Sequence, residues 1–145
     1  MTLETRLAEN RMCFACGKDN QDGLQLEFEY IDGEVRTSLA FPEKFQGYAD
    51  VVHGGLVSTV LDEAMATLVN RMGFIAVTAE LSVRFLKPLC VGQDVNITAR
   101  LLERRGKLFS LEASARTPNG VETARATAKC FLLGKAPVCP PEKSP

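Results

Sequence analysis

The sequence has almost no surplus charge, a single histidine and no apolar run long enough to span a bilayer, and each shortage removes a class of function. Seventeen Lys and Arg stand against eighteen Asp and Glu, a formal net charge of -1. That balance gives no overall electrostatic reason to bind nucleic acid, although a local basic patch for a phosphorylated ligand is compatible with it. The longest helical apolar stretch is interrupted at Asp62 and Glu63, short of the roughly 20 apolar residues a membrane span needs. Met1 to Arg11 mix Glu4, Arg6, Glu9 and Arg11 with apolar positions, without a signal-peptide core; a cytoplasmic chain that binds no membrane is expected. The five cysteines are odd in number, and without an export signal they read as reduced thiols rather than a disulfide framework. Cys13 and Cys16 form the one suggestive pair. A four-ligand zinc site would have to add Cys90, Cys130, Cys139 or His53 with no second paired spacing, so no metal is expected. A thioredoxin-like role is expected still less, because the pair does not join a strand to a helix in a βαβ unit.

What is present fits one folded domain. The chain has 145 residues, of which 46% are hydrophobic and 24% charged, a globular and not a disordered mixture. One domain is expected over 1–134, with the proline-rich residues 135–145 a disordered tail and Leu3 to Asn10 a possible short helix. Two-residue alternation decides the fold class. Leu24, Leu26, Phe28 and Tyr30 share one strand face, and Val35, Thr37, Leu39 and Phe41 share the next. Asp32-Gly33 between them is a two-residue hairpin signal. Val77, Ala79, Leu81, Val83 and Phe85 alternate with Thr78, Glu80, Ser82 and Arg84; Val95 to Leu101 alternate likewise. Gly106 precedes a strand with Phe109, Leu111, Ala113 and Ala115, and Asn119-Gly120 opens the last hairpin, into Val121 to Leu133. Tight turns make the sheet largely antiparallel. The one long helix, Gly54 to Met72, is apolar around nearly its whole circumference and must be buried. The expected class is α+β: a curved antiparallel sheet wrapped around one long helix, in the order β-β-α-β-β-β-β.

Two features of that helix invite chemistry. His53-Gly54-Gly55 stands at its N-terminus, where backbone N–H groups are open, carry positive dipole character and have no side chain to shield them. The competing account is that the glycines only admit a neighbouring backbone. Asp62 lies among Val60, Leu61 and Ala64, where a carboxylate needs a partner, a ligand or water. Its competing accounts are an ion pair with an arginine, or a narrow polar stripe with Glu63 and Asn70. Glu63 is about 100° further round the helix, so the two acids do not serve one site together. Gly55 and Asp62 stand seven residues apart, about 10.5 Å along a helix axis. One reacting carbon cannot touch both on one chain, so a site using both predicts a two-fold dimer.

The run from Phe45 through His53-Gly54-Gly55 to Asp62-Glu63-Ala64-Met65, followed by Thr78, by Val83-Arg84-Phe85-Leu86-Lys87-Pro88 and by Gly92, resembles the hotdog-fold acyl-CoA thioesterases of the phenylacetate-pathway type. Cys13-Phe14-Ala15-Cys16-Gly17, with Gly23-Leu24 after it, is similar to the N-terminal signature of one branch of that superfamily, which includes mammalian mitochondrial members. The resemblance implies a hotdog fold and hydrolysis of an acyl-CoA. It implies Asp62 as general base or nucleophile, Gly55 as the amide that polarises the carbonyl, His53 as the residue shaping the turn and approaching the thioester, and Thr78 as the hydroxyl that helps place water. Gly54, Val57, Leu61 and Met65, with Phe74, are candidates to line the substrate pocket. Arg84 and Lys87, with Arg104, Arg105 and Lys107, are candidates for the phosphates of coenzyme A. Thr78 otherwise reads as a polar strand position on the face of Glu80 and Ser82, and His53 as an ordinary loop residue. Some relatives carry Asn or Gln where this chain has Gly47, with Gln46 beside it. No cofactor is implied beyond coenzyme A as part of the substrate, and the expected assembly is a homodimer or a tetramer built from dimers. The rival functions are a hotdog hydratase or dehydratase, and a non-catalytic acyl-CoA binding module.

Overall fold

The computed structural model describes residues 10–135. The expected N-terminal helix, except its last residue, and the tail beyond 135 lie outside the described residues. The elements run β1 (Glu29–Ile31), β2 (Glu34–Ala40), a short 3-10 turn (Glu43–Phe45), helix α1 (Gly54–Arg71), β3 (Phe74–Phe85), β4 (Asp94–Arg105), β5 (Leu108–Arg116) and β6 (Glu122–Lys135). All six strands form one antiparallel sheet in the order β1-β2-β4-β5-β6-β3.

Local chemistry accounts for most of the boundaries. Asp32 and Gly33 have φ of 52° and 77°, the two positive values that a type I′ hairpin requires. The last hairpin differs from the two-residue turn its Asn119-Gly120 suggests. Thr117 N–H donates to the Val121 carbonyl and only Gly120 is positive in φ, so Pro118, Asn119 and Gly120 make a three-residue loop with glycine in the left-handed position. The first strand is also shorter than the alternation from Leu24 implies. Gln25 takes φ of 50°, and Leu24 and Leu26 donate instead to Phe14 and Ala15 carbonyls. Residues 24–28 are therefore not a ladder strand: their backbone is tied to the N-terminal loop, and β2 reaches them through the Thr37 hydroxyl, which donates to the Glu27 carbonyl at 2.6 Å.

The helix packs against β2, β3, β4, β5 and β6. Val57, Val60, Leu61, Ala64, Met65, Leu68 and Val69 are its buried residues. They share the core with Val95, Ile97 and Ala99 of β4, Phe109, Leu111 and Ala113 of β5, and Ala124, Ala126 and Ala128 of β6. Alanines on three successive strands keep the sheet floor thin enough for a helix to lie close over it. Burial all around the helix is not what one chain provides. The arc holding Gly55, Thr59, Asp62, Glu63, Ala66 and Asn70 is half-buried or exposed, because the sheet covers one side only.

β3 sits at the edge of the sheet and carries a feature that strict alternation hides. Its ladder with β6 slips between Thr78 and Glu80: Thr78 is opposite Cys130, Glu80 is opposite Lys129, and Ala79 is left without a partner. A bulge of this kind reverses which side subsequent residues face. Opposite residues share a face, and Cys130, Ala128, Ala126 and Ala124 are buried. The inner face of β3 is therefore Thr78, then Leu81, Val83 and Phe85. Thr78 does not lie on the face of Glu80 and Ser82.

Candidate active site

The helix entrance is built from two close approaches. His53 is the N-cap, and its Nδ1 accepts the Gly55 N–H at 2.9 Å, satisfying one of the open helix amides. A Cβ on Gly55 would stand 3.0 Å from that nitrogen, and one on Gly54 would stand 3.2 Å from the Phe85 ring. Both glycines thus have steric reasons to be glycine. Because Nδ1 accepts, the neutral imidazole carries its proton on Nε2, and that N–H points from an exposed residue. The expected polarising amide, Gly55 N–H, is already occupied. Among the described residues, the Gly54 N–H makes no hydrogen bond.

Gln46 and Gly47, where some relatives carry Asn or Gln, are held within the loop itself. The Gln46 Oε1 accepts from the Asp50 N–H at 3.0 Å. Gly47 lies against His53, where a Cβ would meet the His53 Cα at 3.3 Å.

Below the entrance, Asp62 Oδ1 accepts a 2.7 Å hydrogen bond from the Thr78 hydroxyl. The Cys130 sulfur lies 3.9 Å from the same hydroxyl oxygen, so with Thr78 donating to Asp62, its oxygen remains an acceptor for the thiol proton. Burial first, and the Asp62 charge as well, push the Cys130 thiol above its ordinary value, with the Thr78 contact acting the other way. No salt bridge reaches Asp62 among the described residues. The arginine-pair explanation of this carboxylate is thereby removed. Half-buried on the open side of α1, Asp62 keeps Oδ2 available.

A cleft of about 340 Å³ opens beside the helix N-terminus, lined among others by Tyr48, Gly54, Val57, Phe85, Lys87 and Thr123. It gathers three of the expected substrate-contacting residues, Gly54, Val57 and Lys87. Others are elsewhere. Leu61 and Met65 are fully buried in the chain's own core, so they do not face the open side of the helix, which corrects their expected place in the lining of the substrate pocket. Phe74 packs on Phe109 with centroids 5.5 Å apart, and the Arg104 guanidinium lies 4.5 Å from the Phe74 centroid. That cluster is at the C-terminal end of α1, far from Gly54. Arg84 is exposed opposite Arg125 on the outer face of the sheet, away from the cleft. Tyr48, 86% exposed at the cleft, escaped the sequence reading because it belongs to a loop without periodicity.

The N-terminal cysteines are placed by the same helix. Cys16 Sγ lies 2.9 Å, and Cys13 Sγ 3.8 Å, from Glu63 Oε1. Burial, then the hydrogen bond and charge of Glu63, hold the Cys16 thiol far above the usual range.

Comparison with known proteins decides the lineage. The sequence model of the Thioesterase superfamily matches residues 49–124, just over half of the chain and including the His53 turn, all of α1 and Thr78. The chain belongs to that superfamily. A provisionally named esterase of Saccharolobus solfataricus is 31% identical over 104 residues, 70% of this chain and 69% of that protein. Human acyl-coenzyme A thioesterase 13 is 28% identical over 105 residues, 71% of this chain and 70% of that one. Among solved structures, the E. coli PaaI protein from the phenylacetic acid degradation operon is 18% identical with a TM-score of 0.74, over 93% of this chain and 99% of that one. A thioesterase protein of Streptococcus pneumoniae with coenzyme A is 20% identical with a TM-score of 0.73, over 77% and 91%. It has also been solved with an aspartate and, separately, a threonine sixteen positions later changed to alanine. The hotdog arrangement of this thioesterase-superfamily chain is shared by both structures. No described helix is long and apolar enough to cross a membrane.

Proposed function

We propose that the chain hydrolyses an acyl-CoA thioester to the free acid and coenzyme A, with Asp62 as general base. The observation that carries this reading is the Asp62–Thr78 hydrogen bond on the open side of α1, a carboxylate oriented by a neutral hydroxyl and unneutralised by any described cation. The sixteen-residue separation of the two residues matches that of the altered pair in the streptococcal thioesterase. Its complex with coenzyme A, and the activity named for the human relative, support the substrate class.

In the proposed reaction, Asp62 Oδ2 takes a proton from water as the water oxygen bonds to the thioester carbon. Charge developing on the carbonyl oxygen meets the positive end of α1, where the Gly54 N–H is open and the His53 Nε2–H can approach. Collapse breaks the carbon–sulfur bond, and the departing CoA sulfur takes the proton from Asp62. Nothing in this sequence needs a resident cofactor. Lys87, at the cleft, suits a phosphate of coenzyme A, and Val57 with Phe85 suits its apolar arm.

The helix entrance and Asp62 remain about 10.5 Å apart along one axis, so the reading includes a second copy that supplies the other half. β3 offers the means. It is a 12-residue edge strand whose second side is unpaired, a template for another strand. Its Val77, Leu81 and Phe85 are 41%, 37% and 57% exposed. Pairing two copies there would cover these apolar groups and bring the open sides of two helices together, giving a homodimer with two equivalent sites; tetramers would be pairs of such dimers. A cytoplasmic setting suits its free thiols.

The decisive experiment assays Asp62→Ala against a panel of acyl-CoA and aryl-CoA thioesters. The variant is expected to keep the fold and lose at least about two orders of magnitude in turnover. Hydrolysis near the wild-type rate, or a wild-type protein that is active as a monomer, rejects the mechanism.

A further inference from the structure

Three side chains on the far shoulder of α1 take no part in the proposed hydrolysis. Cys13, Cys16 and Glu63 each aim a ligand atom at one point, all three atoms lying within 4.8 Å of one another. Glu63 stands about 100° round the helix from Asp62, so this cluster is separate from the water-activating carboxylate. Among the described residues its carboxylate has no salt bridge, and its hydrogen bonds come only from the two thiols, which are weak donors.

The turn carrying the sulfurs is a built structure. Gly17 N–H donates to the Cys13 carbonyl at 2.8 Å, Cys13 N–H to that of Asn10 at 3.0 Å, and Leu24 and Leu26 N–H return to Phe14 and Ala15. Ala15 is buried in the main core. A Cβ on Gly17 would lie 2.4 Å from the Cys13 nitrogen, and one on Gly23 would lie 2.4 Å from the Phe14 oxygen. Both glycines therefore hold a Cys-x-x-Cys-Gly loop too tight for any side chain, with its two sulfurs directed onto the helix.

We propose that Cys13, Cys16 and Glu63 form a binding site for a divalent zinc-type cation that fastens the N-terminal loop to α1. Tetrahedral zinc with bonds of ~2.3 Å to sulfur and ~2.0 Å to oxygen spans edges of about 3.5 Å from sulfur to oxygen and about 3.8 Å between sulfurs. The 3.8 Å from Cys13 to Glu63 lies within about 0.3 Å of that edge, and the 2.9 Å from Cys16 has to open by about 0.6 Å as the metal enters. Two sulfurs and one carboxylate select zinc over magnesium or calcium, which prefer oxygen throughout. On binding, two sulfur–metal bonds form, two thiol protons leave to solvent, and no electron is transferred. Water takes the fourth position, beside the Asn10 amide that lies 3.8 Å from Cys16 Sγ. The sequence expectation of no metal counted cysteines and histidine only. It missed a carboxylate brought in by the fold from 47 residues away.

The inference is independent of the thioesterase reading, and its test measures no hydrolysis. The full chain, reduced without thiol reagents and stripped of metal, is titrated with Co²⁺ and then Zn²⁺. One equivalent of Co²⁺ per chain should produce an intense near-ultraviolet sulfur-to-cobalt band, which Zn²⁺ removes. Cys13→Ser and Cys16→Ser should each diminish that band, while Cys90→Ser leaves it unchanged. Glu63→Gln, close to isosteric, should keep sulfur contact but weaken Zn²⁺ binding by about tenfold or more. Zn²⁺ should also raise the melting temperature of the wild type and not of Cys16→Ser. The absence of a sulfur-to-cobalt band in the reduced wild type overturns the proposal, as does Zn²⁺ affinity unaltered by Glu63→Gln.

Discussion

The hydroxyl of Thr78 can be removed without changing the shape of its side chain, which makes Thr78→Val the sharpest probe of the site. Thr78 touches Asp62, not the cleft, so its role in the proposed reaction is to position the carboxylate with Oδ2 toward water. A hydrogen bond to a charged group contributes about 1.5–3 kcal/mol. If that orientation is needed in the transition state, one tenfold step per about 1.36 kcal/mol gives a kcat loss of roughly 10- to 150-fold. Only the upper end of that range reaches the loss of at least about two orders of magnitude expected for removing Asp62 itself. KM should change little, because no substrate contact is deleted. The assay is steady-state hydrolysis of the best acyl-CoA from the panel, with Thr78→Ser as the companion, since serine restores the donor. A Thr78→Val enzyme with kcat within twofold of wild type, or a Thr78→Ser enzyme equally impaired, would refute the positioning argument.

Two other expectations follow from the geometry. His53→Ala removes the cap on the Gly55 amide and should lower folding stability by about 1 kcal/mol, read as a shift in the urea midpoint; an unchanged midpoint would mean that the cap is not formed in solution. Cys130, whose thiol burial pushes above the ordinary value of 9.0, holds its proton in the folded chain when the unfolded chain releases it. Its contribution is therefore fully present below that pH and is lost as pH rises above it, so the urea midpoint of metal-free wild type should fall more steeply in alkali than that of Cys130→Ala. Parallel slopes for the two proteins would contradict that origin.

The helix, the hairpin at Asp32-Gly33 and four of the strands are legible because each depends on a local signal: apolar spacing, a turn pair, or alternation. Asp62 is legible for a related reason, a charge interrupting an apolar helix. What was not legible depends on the register between distant strands. No residue near Ala79 announces a bulge, so Thr78 seemed to share the face of Glu80 and Ser82 until its pairing with Cys130 was known. Leu61 and Met65 looked like pocket residues because periodicity gives the apolar side of a helix without saying which neighbour covers it. The sheet does, and they are core. The helix entrance shows the same limit: the His-Gly-Gly spacing locates the amides, but only the folded turn reveals that His53 has taken Gly55's.

The unpaired residue at Ala79 makes β3 a strand of two phases. Upstream of it the even-numbered positions answer to the helix, and downstream the odd-numbered ones do. Substitution tolerance along this strand should therefore change parity at that point. Loss of Ala79 itself should leave the site intact, because removing the unpaired residue closes the ladder with Thr78 still opposite Cys130 and Glu80 still opposite Lys129.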